Sequence, residues 1–293
     1  MSYLKKYEYI NAVLEFGGIT QAAAQLKISQ PTFSKYLKKL ENDLGIELFD
    51  RSRLPIRLTK AGECFYEAGK RILDIDRQLN KQLDEIKETQ SFNIRVGISP
   101  SRYPYTLPKI MADFMQKMPS ARVVVVEKYA GELNRRLIDG DLDIIISILS
   151  DETRDFERIE LFDESLLLAV PKDKCPKSKD VGEIFSSLTF IRGGTLAGRW
   201  QKLIEEVRAY YNLSKSEILC QSVESAFDLV KQGLGVAIVP SYMSRNEAKT
   251  VEFLPLNTKV DSKRKVCLFY RKDQFISSVE KAFIDCVVNA EKK

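Results

Sequence analysis

The 293-residue chain contains no histidine. That excludes imidazole acid–base chemistry, His-based nucleophilic triads and His-ligated metals. Its five cysteines (Cys64, Cys175, Cys220, Cys267 and Cys286) are odd in number and never spaced C-x-x-C. They argue for reduced, mostly buried thiols rather than a disulfide framework or a zinc site. Long apolar runs are also missing. The longest, such as Leu166–Val170, are far below the roughly 18–20 residues that cross a bilayer. The opening stretch is basic, but Asn11 and Glu15 interrupt any apolar region, so no signal peptide is read and the cytoplasm is the expected location. Neither a phosphate-binding loop nor a nucleophile elbow is found, which argues against an enzyme; no cofactor is expected.

What is present is the composition of a globular chain, 44% hydrophobic and 30% charged, long enough for two domains or more. The net charge of +5 is uneven. Residues 1–60 carry ten basic against six acidic side chains, residues 61–90 five against seven. A small basic N-terminal module is consistent with a polyanion partner.

Leu4, Tyr7, Ile10 and Leu14 recur at helical spacing, predicting a helix over 3–16 that Gly17-Gly18 ends. Thr20 is the expected cap of a short second helix, Gln21–Leu26. Ser29 is the expected cap of a third, Gln30 to about Asp43, with Pro31 in its first turn. Phe33, Tyr36, Leu37 and Leu40 form its apolar face. Gln30, Thr32, Ser34, Lys35 and Lys38 remain for solvent or for DNA. Two short runs, 46–51 and 56–59, flank a polar, Arg-rich tip and predict a hairpin wing. A helical bundle whose third helix merely packs is the alternative. In the DNA reading, Gln30, Thr32 and Ser34 face base edges, while Thr20, Lys35, Lys38, Arg51 and Arg53 hold phosphates.

Residues 59–89 predict one long helix spanning about 45 Å. Phe65, Ala68, Ile72, Ile75, Leu79, Gln82 and Ile86 step by three and four, a heptad seam suited to pairing with a second copy. The alternative is a helix lying on its own domain. Beyond it, strands alternate with helices. The apolar runs Val123–Val126 and Ile144–Ile146 suggest strands covered on both faces, as in a parallel sheet. Ligands in such folds bind beyond the carboxyl ends of strands. The candidates there are Ser99 and Ser101, Ser147, and Arg192-Gly193-Gly194-Thr195, which opens a helix and suits an anion. Those glycines equally suit a turn that serves geometry alone, with Arg192 solvated.

One string runs through the first sixty residues: Gly18-Ile19-Thr20-Gln21-Ala22-Ala23, Leu26, Ser29-Gln30-Pro31, Ser34, Leu40-Glu41, Leu44-Gly45, Leu48-Phe49, Arg51 and Leu58-Thr59-x-Ala61-Gly62. It resembles the winged helix-turn-helix of LysR-type transcriptional regulators. Val96-Gly97-Ile98-Ser99, Gly140–Ile144, Leu167–Pro171 and Val230–Pro240 resemble that family's effector domain, less specifically. The resemblance implies a multidomain α+β and α/β chain: a winged helix-turn-helix (1–58), a linker dimerisation helix (59–90) and an effector-binding domain of the periplasmic-binding-protein type (91–293). Its lobes would be about 92–162 plus 267–293, and about 163–266. The resemblance further implies promoter DNA as partner, a homodimer or homotetramer, RNA polymerase contact, Gln30, Pro31 and Ser34 as base readers, and a small hydroxyl residue, here Ser99, in the effector site. Some relatives sense oxidants through a cysteine pair, but Cys175 and Cys220 stand in contexts that do not match. The combined expectation is a small anionic metabolite held between the lobes by Ser99, Ser101, Ser147, Arg192 and Thr195.

Overall fold

The computed structural model describes residues 3–52, 56–87, 93–194, 198–213, 217–245, 249–256 and 263–290. The chain divides into two compact units. One holds Met1–Gln90 with Arg135–Asp141 and Asp273–Ser277; the other holds the remainder.

The first unit begins with helices α1 (Tyr3–Glu15), α2 (Ile19–Gln25) and α3 (Gln30–Leu44). A two-stranded hairpin follows, β1 (Phe49–Asp50) and β2 (Arg57–Leu58), with Phe49 opposite Leu58. The long helix α4 (Lys60–Ile86) completes it. Helix starts are fixed by side-chain oxygens that satisfy free backbone N–H groups. Ser29 Oγ accepts from Thr32 N at 3.4 Å, and Thr59 Oγ1 accepts from Gly62 N at 3.0 Å. Thr20 does not act this way. Helix α2 starts at Ile19, two residues before the expected Gln21, with Gly18 before it and no side-chain cap, so Thr20 sits exposed within the first turn.

Ile10, Val13, Ala22, Ala23, Phe33, Leu37, Leu48, Phe49 and Phe65 form one core. Small residues on α2 let its neighbours approach closely. Gly69 does the same on α4: a Cβ there would lie 2.3 Å from the Tyr7 ring, which stacks on Tyr66 at 5.2 Å. Lys70 and Arg77 of α4 hold the segment 139–141, through Asp139 at 2.9 Å and the Gly140 carbonyl at 3.0 Å.

The second unit contains β3 (Asn93–Ile98), α5 (Tyr103–Lys117), β4 (Arg122–Glu127), α6 (Ala130–Ile138, its end grouped with the first unit), β5 (Ile144–Ile148) and β6 (Phe156–Pro171). Then come α7 (Val181–Ser187), β7 (Phe190–Arg192), α8 (Gly198–Tyr210), β8 (Glu217–Leu219) and α9 (Val223–Lys231). The last elements are β9 (Ala237–Pro240), β10 (Val251–Pro255), β11 (Lys263–Arg271) and α10 (Ser278–Ala290). The main sheet has the order β10-β6-β11-β5-β3-β4, with β9 also on β6. Pairing is parallel among β3, β4 and β5 and antiparallel where β6 and β11 join.

This unit has two lobes with separate cores. Ile94, Val96, Ile98, Leu107, Phe114, Ile144, Ile146, Leu268 and Phe283 fill one. Leu168, Val170, Ile184, Ile204, Val207, Val236 and Ile238 fill the other, with a satellite around Ala226, Phe227 and Tyr242. Strand β6 belongs to both: its first half pairs with β11, its second half with β9 and β10. Strand β4 departs from the expectation of coverage on both faces. It is the sheet edge, and Val124 is 42% exposed. Among the described residues, no helix is long and apolar enough to cross a membrane.

Candidate nucleic-acid interface and ligand cleft

Helix α3 is strongly two-faced. Phe33, Leu37 and Leu40 are buried, whereas Gln30, Pro31, Thr32, Lys35 and Lys38 are exposed and Ser34 is half-buried. Burial of one face over four turns fixes which side chains point outward. The outward group therefore consists of amide, hydroxyl and ammonium donors, the types that read base edges and hold phosphates. Thr32 is partly committed, its Oγ1 lying 2.7 Å from Ser29 Oγ in the cap.

Arg51 is committed further. Its Nη2 donates to Glu41 Oε2 at 2.6 Å, and Glu41 is buried. The other Glu41 oxygen accepts from Leu48 N at 2.9 Å and Phe49 N at 3.2 Å. Glu41 thus joins α3 to the first wing strand, and Arg51 neutralises it. The expected phosphate contact of Arg51 would compete with this anchor. Arg53 lies outside the described residues. Sequence reasoning gave Glu41 no role, although Leu40-Glu41 stood in the string that carried the resemblance.

On α4, Phe65 is buried in the winged unit, but Ile75 is 67% exposed, and Ile72, Leu79, Leu83, Gln82 and Ile86 are exposed too. The expected seam is therefore an uncovered apolar stripe only in the second half of the helix. Leu83, which the seam omitted, lies among its exposed side chains.

In the two-lobed unit, Ser99 and Ser101 follow β3, with their Oγ atoms 3.4 Å apart. The next residue, Arg102, precedes α5 and is 3% exposed. Its Nη2 lies 2.9 Å from Glu164 Oε1, and Arg264 on β11 pairs with the other Glu164 oxygen. The Arg102 guanidinium carbon sits 5.0 Å from the Tyr242 ring centroid and 5.8 Å from that of Phe162. Tyr242 comes from the other lobe and is hydrogen-bonded to Ser101. Burial pushes its hydroxyl up to about 12, which keeps the phenol neutral. Burial also pushes the Arg264 guanidinium down, against the pull of Glu164. A second approach between the lobes lies at Tyr129, after β4. Its hydroxyl pKa is raised by burial and then by the nearby Glu224 carboxylate in the first turn of α9.

Ser147 is buried on β5, on the face opposite Ile144 and Ile146. Arg192 lies with its Nε 3.2 Å from Glu217 Oε1, and Glu217 also takes Arg208 at 2.6 Å. Glu217 is thus shared by two guanidiniums, and Arg192 Nε and Glu217 Oε1 are buried without a hydrogen bond. Gly193 serves packing: a Cβ there would lie 2.6 Å from the Ser222 carbonyl and 2.7 Å from Ala226. Thr195 lies outside the described residues.

The cysteines divide by burial. Cys64 is exposed, Cys175 and Cys220 are half-buried, and Cys267 and Cys286 are buried. Burial pushes the Cys267 thiol up to about 11 and raises that of Cys175, which disfavours the reactive thiolate.

Residues 4–63 match the family of bacterial regulatory helix-turn-helix proteins of the lysR family, and residues 88–292 match the LysR substrate binding domain. The DNA-binding transcriptional dual regulator OxyR of Escherichia coli K12 is 28% identical over 277 residues, covering 92% of this chain and 89% of that protein. The Hca operon transcriptional activator HcaR of the same strain is 26% identical over 266 residues, 88% of each. Among solved structures, full-length CbnR with its target DNA superposes with a TM-score of 0.68 at 21% identity, covering 99% of this chain and 100% of that one. A full-length OxyR variant from Pseudomonas aeruginosa gives 0.63 at 23% identity, covering 99% and 97%. At these identities the structures speak for the fold.

Proposed function

The chain belongs to the LysR family of DNA-binding transcriptional regulators, with the family's helix-turn-helix and effector-binding domains both present, and from that premise we propose how it works. The start of α3 enters the major groove, with Gln30 and Ser34 at base edges and Lys35 and Lys38 on phosphates. Two copies pair along the apolar stripe of α4, so that a dimer reads the two halves of a pseudo-palindrome. The partner is promoter DNA in the cytoplasm, and the protein acts by occupancy rather than by catalysis. A small metabolite between the lobes, beside Ser99 and Ser101, favours one subunit arrangement over another and so alters promoter contact.

One observation carries the DNA reading: the polar, basic face of α3 is exposed while its apolar face is fixed in the core. A solute-binding protein would need the lobes but would have no use for that face. The test is a gel shift with the DNA upstream of the protein's own operon, against unrelated DNA at several salt concentrations. Selective retention is expected, with affinity falling as salt rises. Equal binding to both DNAs would contradict the reading.

A further inference from the structure

Lys27 forms the turn between α2 and α3, and its backbone lies in the left-handed region, with φ at 55°. Among the described residues, three other than glycine have a positive φ: Lys27, Lys179 and Asn212. A side chain with a Cβ is disfavoured there, and glycine or asparagine is the usual occupant. Asn212 fits that rule. Lys179 does not, but its ammonium is paired with Glu252. Lys27 is exposed, and its ammonium has no ion-pair or hydrogen-bond partner among the described residues. A costly backbone conformation that serves no internal contact of its side chain points to a function outside the fold.

The turn is held on both sides. Lys27 N donates to the Ala24 carbonyl at 3.1 Å, and Ile28 N donates to the Ala23 carbonyl at 3.0 Å. These are the two bonds of a helix end closed by a left-handed residue. Leu26 and Ile28 both pack against the core of the winged unit, so the residue between them is presented to solvent at a fixed place. Ser29 caps α3 two residues on, and Gln30 opens it. Three residues of chain reach no further than about 11 Å, so Lys27 stays close to the residues expected at base edges. Lys38 lies beyond those residues on α3, about 12 Å of helix from Gln30. Cations thus stand before and after the base-facing group, as a hold on flanking phosphates requires. Other cations of this unit are engaged within it: Arg51 by Glu41, Lys70 by Asp139 and Arg77 by the Gly140 carbonyl.

We propose that Lys27 is a positioning residue for DNA, its ammonium pairing with a backbone phosphate beside the bases that Gln30 and Ser34 face. This rests on the DNA reading of α3 and adds a contact from outside that helix. A phosphate contact carries no sequence information of its own, so Lys27 fixes the register of α3 and does not select the base. The anchored turn lowers the ordering cost of the contact.

The experiment is fluorescence anisotropy of the full chain on the DNA upstream of its own operon and on unrelated DNA, between about 50 and 200 mM salt, with urea unfolding beside it. Lys27→Gly suits the left-handed backbone and removes the charge. Its urea midpoint should equal or exceed that of the wild type. Its affinity should fall about three- to ten-fold, and the plot of log affinity against log salt should become shallower by about one unit, the release of about one counterion. Base preference across single-base variants should not change. Lys27→Asn also tolerates this backbone and should behave like Lys27→Gly, whereas Lys27→Arg keeps the charge and should retain both affinity and slope. A merely structural role would move stability and affinity together and leave the slope as it was. Wild-type affinity and slope in Lys27→Gly and Lys27→Asn overturn the proposal, and so does a loss of affinity at unchanged slope. The DNA reading fails separately. A wild type that prefers its own upstream DNA, with Lys27 variants that match it, keeps that reading and removes Lys27. A wild type that binds both DNAs equally removes the reading, and with it the register that Lys27 would hold.

Discussion

The two units build their sites in opposite ways. The winged unit presents its candidate site on one exposed helix face, from residues within nine positions of each other, Gln30 to Lys38. In the two-lobed unit the buried cluster Arg102, Glu164, Tyr242 and Arg264, next to the candidate Ser99, draws on both lobes and the strands between them. The first site is set by helical periodicity and a cap, both local. The second exists only when distant segments converge, and its charges are buried. A surface that reads a long polyanion must be open, and a cleft that selects one small molecule must exclude water. The same contrast divides the apolar side chains of α4: Phe65 in its first half is buried, whereas Ile75, Leu79, Leu83 and Ile86 in its second half are exposed.

The contrast can be broken in order of expected effect. Ile75→Glu places charge in the middle of the exposed stripe of α4. It should abolish the dimer and specific DNA binding while both units stay folded. Sedimentation decides the matter, and an oligomer of unchanged size would remove the stripe as the interface. Glu41→Gln takes the charge from a buried carboxylate that holds two backbone N–H groups and Arg51. Hydrogen bonds to charged groups contribute about 1.5–3 kcal/mol, so urea unfolding should show a loss of that size in the winged unit. Unchanged stability would mean the wing does not depend on this anchor.

Gly193→Ala adds a methyl where backbone already stands at 2.6 Å. A cost of about 1–3 kcal/mol to the lobed unit is expected from overpacking, with DNA binding at saturating protein unaffected. A neutral result would reopen the turn as a ligand contact. Smallest is the thiol contrast. At pH 8, Cys64 should react with a disulfide reagent well before Cys267, whose thiol burial pushes up to about 11. Equal rates would show that the lobe opens readily.

Legibility in the sequence followed the same division. Ser29 was readable as a cap because a cap is a local bond. Strands β4 and β5 were readable from the short apolar runs Val123–Val126 and Ile144–Ile146. The first half of β6 was not, because Glu157, Arg158, Glu160, Asp163 and Glu164 look like a loop until β11 supplies Lys265 and Arg264 opposite them. The short β10 was missed too, since Val251–Pro255 becomes a strand only beside β6. Coverage of β4 was over-read, because an apolar run does not distinguish a central strand from an edge that is left open. Arg192 was legible as a charge near a helix start, but not its partner Glu217, twenty-five residues away. Arg102 was legible in the same way, as a residue just beyond a strand end, but not its neighbours Glu164 and Tyr242, which only the folded lobes bring near.

The central claim is that the exposed face of α3 reads DNA sequence. Fluorescence anisotropy with the full chain, its operator and a set of single-base variants tests it, comparing the wild type with Gln30→Ala. The account predicts a loss of about 1–3 kcal/mol on the native operator and relaxed discrimination at one symmetric base position. Unchanged affinity and unchanged base preference in Gln30→Ala would contradict it.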